Sequence, residues 1–160
     1  MTELMRKVTK LNNNIERRAE GERVSLKPLS VSTLTLEQAQ KNGIAPWDDL
    51  VWRDFHVAVY RDRFPVTRGH LLFVPTENSP GLIREAMTSA LWEGNRMVDS
   101  GECEGYNIGL NMGKAAGQTV MYPHIHLIPR RMGDCADPTG GVRGVIFGQQ
   151  NYKAAGYQQP

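Results

Sequence analysis

The sequence predicts one mixed domain of strands and helices in which a single long helix lies across a sheet. Three observations carry this. Two β-rich runs, FHVAVY (Phe55 to Tyr60) and HLLFVP (His70 to Pro75), are joined by the turn-like DRFPVTRG. One helical apolar face follows at Ile83, Ala86, Ala90, Leu91, Met97 and Val98. Last comes a strand, a glycine-rich loop and a second strand between Tyr106 and Arg130. At 160 residues the chain is the size of one domain, and such a chain buries roughly two thirds of its unfolded surface.

In chain order, Leu4, Val8, Leu11 and Ile15 stand at helical spacing, with Thr2 as a cap and Gly21 as a stop. Thr35 caps a short helix from Leu36 that Gly43 ends. These first 45 residues read as an added helical arm, residues 1–45, ahead of the main domain at 46–160. The run around Phe55 and the run from His70 predict a hairpin or a longer meander. Ser79 and Pro80 supply a cap and a first-turn proline for the helix that stops near Gly101. YNIGLN (Tyr106 to Asn111) predicts a strand, Gly113 to Gly117 a loop, and VMYPHIHLIPR (Val120 to Arg130) a half-buried strand. Beyond Gly133 the chain is rich in Gly, Gln and Pro, and only GVRGVIFG before Gln149 reads as ordered.

Composition excludes several classes. Nineteen Lys and Arg stand against 17 Asp and Glu, a formal charge of +2, so there is no extended basic field for a nucleic-acid backbone. No apolar run approaches the ~20 residues of a bilayer span, and Met1-Thr2-Glu3 does not open a signal peptide. The expectation is a cytoplasmic protein with no membrane partner. Cys103 and Cys135 lack the paired spacing of a zinc site and read as idle thiols.

Chemistry concentrates in the last predicted strand. Alternation puts Tyr122, His124 and His126 on one side and Pro123, Ile125 and Leu127 on the core side. Two imidazoles about 7 Å apart on one strand face suit chemistry on phosphorus, because neutral imidazole is nucleophilic near pH 7. The preceding loop, Asn111 to Thr119, brings backbone close and adds Gln118 and Thr119 as donors to phosphate oxygens. The same His-x-His pair also fits half of a metal site, with His70, Asp62 or Asp134 completing it. No third histidine or close carboxylate follows His126, so metal ranks behind nucleophile. His56 reads as a structural or surface histidine, and Glu16-Arg17-Arg18 as a solvated helix end.

GQTVMYPHIHLIPR (Gly117 to Arg130) resembles the signature of the histidine triad family, three histidines alternating with apolar residues. DRFPVTRGHLLFVP (Asp62 to Pro75) is similar to that family's first strand pair, YNIGLNMGKAAGQT (Tyr106 to Thr119) to the segment entering its active site, and GGVRGVIFGQQNY (Gly140 to Tyr152) to a bacterial tail. The resemblance implies an α+β fold, a five-stranded antiparallel sheet with a helix packed across it, usually doubled into a homodimer. It implies a hydrolase or nucleotidyl transferase for purine nucleotides, such as dinucleoside polyphosphates including diadenosine polyphosphate, or nucleoside phosphoramidates. His124 takes the nucleophile's position and His126 that of the group assisting the leaving atom. Asn111, Gln118 and Thr119 fall where the family binds phosphates, with the Gly117 turn's amides assisting, and Asp62 where it holds ribose. His70 matches the histidine beside the nucleophile.

Tyr122 stands where the family has its first triad histidine, and a phenol with pKa near 10 donates one hydrogen bond but does not readily take a charge. It is carried as a catalytic-site residue. Pro123 withdraws a ladder donor, which predicts an edge position or a bulge. The family's cysteines near the first strand are missing, so neither a structural metal nor a cofactor is expected. Three alternatives stay open: phosphorolysis, a nucleotide-sensing module with decayed chemistry, and a metal-dependent hydrolase using His124, His126 and His70 as ligands.

Overall fold

A computed structural model describes residues 34–148 and 150–153. The helix predicted over Leu4 to Ile15 lies outside the described residues. Five strands form one sheet: β1 (Leu50–Arg53), β2 (Val57–Arg61), β3 (Leu71–Pro75), β4 (Gly105–Leu110) and β5 (Ile125–Arg130). Their order is β1-β2-β3-β5-β4, and every pairing is antiparallel. Among the described residues two α-helices accompany them, α1 (Leu36–Lys41) and α2 (Pro80–Asp99). The expected α+β fold, a five-stranded antiparallel sheet with a helix across it, is what the chain adopts. No described helix is long and apolar enough to cross a membrane.

Local chemistry sets the ends of both helices. Ser79 accepts from the Leu82 amide, and Pro80 occupies the first turn of α2, where a missing N–H costs nothing. Thr35 and Gln38 form a reciprocal capping box at α1, and Gly43 follows in the left-handed region at φ 69°. Glycine also sets a packing distance. Gly94 in α2 faces the Tyr106 ring of β4, where an added Cβ would lie 2.8 Å from three ring carbons.

Residues directly opposite in an antiparallel ladder share a face, which assigns both faces of the sheet. Val59, Phe73, Ile125 and Leu110 form one row across four strands. On that face Val57, Val59, Phe73, Ile125 and Leu127 bury themselves against Ala86, Ala90 and Met97 of α2. The adjacent row, Tyr60, Leu72, His126 and Gly109, belongs to the other face. Part of this second face is covered by Leu36 and Ala39 of α1 and by Ala45, with Tyr122 in the same cluster.

Two expectations change here. The segment 36–45, read from the sequence as part of an arm, supplies the wholly buried Leu36 and Ala39 to the second face. The strand predicted from Val120 begins only at Ile125. Pro123 therefore sits ahead of the ladder, and β5 is an interior strand between β3 and β4 rather than an edge. A proline there removes no ladder hydrogen bond, so neither edge nor bulge is needed.

Candidate active site

The uncovered part of the second face is a cavity of about 670 Å³. Its floor comes from β3, β4 and β5 through Leu72, Asn107, Gly109, His126 and Ile128, and its sides from Trp47, Asp62 and Val142. Gly109 lies directly across the ladder from His126, and a Cβ placed on it meets nothing within 4 Å. The missing side chain leaves the floor in front of His126 open.

His124 reaches the cavity from the residue just before β5 and is itself buried. Its Nδ1 lies 2.9 Å from the Tyr122 carbonyl oxygen. A carbonyl only accepts, so Nδ1 carries the hydrogen and the neutral ring keeps its lone pair on Nε2. The Trp47 ring packs against the imidazole at a centroid distance of 5.0 Å, and His126 lies 5.0 Å away on another side. These two contacts fix the ring plane.

His126 and His70 face one another across β5 and the start of β3, with Nδ1 of the first 3.0 Å from Nε2 of the second. One proton at most sits between those nitrogens. Asp62 Oδ2 lies 3.5 Å from His70 Nδ1 and 3.9 Å from His126 Nδ1. The other oxygen of Asp62 accepts from the Phe64 amide at 2.7 Å, which anchors the carboxylate. Burial holds His126 neutral down to about pH 4, helped by its histidine neighbours and opposed by Asp62. Burial also lowers the pKa of His70, against the pull of Asp62.

Of the residues singled out in the sequence, the structure brings His70, His124, His126, Asp62, Asn111 and Thr119 to one cavity. Gln118, Gly117 and Tyr122 do not line it. Buried Gln118 accepts from the Gly113 amide at 2.8 Å and donates to the Val120 carbonyl at 3.0 Å. Both ends of its amide are used to close the loop, so Gln118 shapes the turn instead of facing a ligand. Gly117 takes a left-handed conformation, φ 78°, at the end of the short 3₁₀ turn Lys114–Ala116.

Tyr122 points inward, among Leu36, Ala58 and Val74, and its hydroxyl donates to the Pro75 carbonyl at 3.0 Å. Burial raises its pKa further above the ordinary phenol value. The strand alternation that placed it beside His124 fails because residues 120–124 are not in a strand. Asp134 is also elsewhere, bonded to Arg130 and to the Arg131 amide, which holds its pKa at about 2. His56 is exposed, as expected.

Sequence reasoning missed Trp47 and the tail residues Val142 and Val145, which line the cavity beside the 3₁₀ turn Gly141–Val145. Trp47 had one signal, an isolated large aromatic within the otherwise polar stretch Pro46 to Asp49.

Comparison with known proteins identifies the family and the fold. The HIT domain model matches residues 47–133, more than half of the chain. The adenylylsulfatase HINT3 of Arabidopsis thaliana is 35% identical over 81 residues, covering 46% of this chain and 41% of that protein. The nitrilase and fragile histidine triad fusion protein NitFhit of Caenorhabditis elegans is 34% identical over 99 residues, 58% of this chain and 22% of that one. The chain thus spans under half the length of either relative. Among solved structures, a zinc-bound histidine triad family protein from Mycobacterium smegmatis is 31% identical. It superposes with a TM-score of 0.52 over 62% of this chain and 76% of its own. A HIT family protein from Bacillus anthracis is 27% identical with a TM-score of 0.51, covering 62% and 75%. The chain belongs to the HIT domain family.

Proposed function

From membership of the HIT domain family, we propose that this chain is a nucleotide hydrolase or nucleotidyl transferase working through a covalent intermediate on His124. The observation that carries the reading is the hydrogen bond from His124 Nδ1 to the Tyr122 carbonyl, which leaves Nε2 free in a buried ring lining the cavity. Nε2 attacks the α-phosphorus of a bound purine nucleotide, a P–N bond forms, and the bond from phosphorus to the bridging atom breaks. His126 lies beside the reacting centre and steadies the departing atom with a hydrogen bond from its second nitrogen, while that atom takes its proton from solvent. Water then attacks phosphorus and gives its proton to solvent, the P–N bond breaks to restore neutral His124, and the nucleoside monophosphate leaves. Inorganic phosphate in place of water gives phosphorolysis by the same path.

Asn111 and Thr119, both lining the cavity, donate to phosphate oxygens in this reading, and Asp62, which lines it too, accepts from ribose hydroxyls. Tyr122 occupies the position of the family's first triad histidine, and in this reading its part is to place the backbone carbonyl that orients His124. The substrate classes are phosphoanhydrides such as diadenosine polyphosphates, and phosphoramidates or mixed anhydrides on a nucleoside. The adenylylsulfatase among the relatives supports the last of these. The reading extends to a homodimer, supported by β4 at one end of the sheet and by Trp92 and Leu91, exposed on α2.

The test is His124→Ala assayed against a fluorogenic adenosine phosphoramidate. Turnover falls by at least about 10³-fold, the scale of losing a nucleophile, while adenosine monophosphate still binds. Undiminished turnover in the variant refutes the reading.

A further inference from the structure

Asp62, His70 and His126 each present one ligand atom, and the three atoms lie within 4.8 Å of one another. Two donors each about 2.1 Å from a tetrahedral zinc stand roughly 3.4 Å apart. The measured separations straddle that value: 3.0 Å between His70 Nε2 and His126 Nδ1, and 3.9 Å between His126 Nδ1 and Asp62 Oδ2. The donors come from three separate segments, the end of β2, the residue before β3, and β5, so the sheet itself holds them in place. His124 is not a member of this group of mutually close donor atoms, and its free Nε2 serves the phosphorus instead. Asp62 takes its place in the set.

We propose that Asp62, His70 and His126 bind one divalent transition-metal ion of the zinc class, and that this ion and a nucleotide exclude each other from the cavity. The ion replaces the single proton that the two imidazoles share. Its fourth position opens on the cavity, where water completes the coordination. An ion held there occupies Asp62 and one nitrogen of His126. Nucleotide needs Asp62 for its ribose hydroxyls, so the exclusion half rests on the function proposed above, whereas the binding half does not.

Cobalt(II) titrated into the metal-free full chain tests this through its visible absorption bands. One ion binds per chain. Asp62→Asn and His70→Gln each weaken binding by at least about tenfold, whereas His124→Ala leaves it within twofold. Equal affinity in the wild type and in both ligand variants overturns the site, as does binding lost only in His124→Ala. If a variant misfolds, zinc added to the wild type still decides the point. The His70 and His126 imidazole nitrogen resonances shift while His56 stays put, and a shift confined to His56 refutes the site. Adenosine monophosphate then raises the apparent cobalt dissociation constant in proportion to its concentration. If the nucleotide binds and leaves cobalt affinity unchanged, the exclusion fails while the site stands. A nucleotide that does not bind at all refutes the proposed function instead.

Discussion

On the helix-covered face of the sheet, Val59, Phe73 and Ile125 stand in one row with no exposed surface. The adjacent row on the opposite face, Tyr60, Leu72 and His126, runs from a packed cluster into an open cavity. Both rows belong to the same three strands, and a shift of one residue decides which face a side chain serves. The covered face holds apolar side chains against one long helix, where burial is the only demand. The second face is divided. Leu36, Ala39 and Tyr122 close one part, and Gly109 in front of His126 leaves the other open. His126 thus stands on the sheet itself, with His70 and His124 at the starts of β3 and β5 beside it.

Several substitutions put this contrast at risk. Phe73→Ala on the covered face removes a wholly buried ring and costs about 3–5 kcal/mol of stability, read from the urea midpoint. A loss below about 1 kcal/mol shows that the helix does not seal that face. Tyr122→Phe leaves the Pro75 carbonyl without its donor and costs about 1–2 kcal/mol, with turnover nearly unchanged. Turnover lost at unaltered stability would restore Tyr122 to the chemistry and break the division of the second face.

A smaller effect tests the open part. The folded protein keeps His126 neutral to about pH 4, whereas the unfolded chain takes the proton near 6.5. Its contribution to stability is therefore complete above pH 6.5 and is lost as pH falls toward 4. In chelator-containing buffer its Cε1 proton resonance should titrate near 4, and a midpoint at 6.5 would place the ring in free solvent.

Much of this was legible in the sequence, because short-range chemistry sets it. Thr35, Gly43, Ser79 and Pro80 marked helix ends, and the β-rich composition of the runs around Val59 and Phe73 marked strands. The chain segment holding the histidines was legible too. What escaped depends on contacts made far along the chain. Tyr122 read as a partner of His124 until Pro75, 47 residues earlier, supplied the acceptor for its hydroxyl. Gln118 read as a phosphate donor because a loop that closes on its own amide looks, in one dimension, like a loop that awaits a ligand. α1 read as an arm because its burial rests on Ala58, Tyr60 and Val74, residues that no local pattern connects to Leu36.

The most direct measurement is mass spectrometry of rapidly quenched protein saturated with a diadenosine polyphosphate or an adenosine phosphoramidate. A chain heavier by one adenylyl group, with the added mass on the peptide containing His124 and absent in His124→Ala, is the expected result. Rapid turnover with no adduct at any quench time, or with the adduct on another residue, contradicts the assignment of His124 as nucleophile.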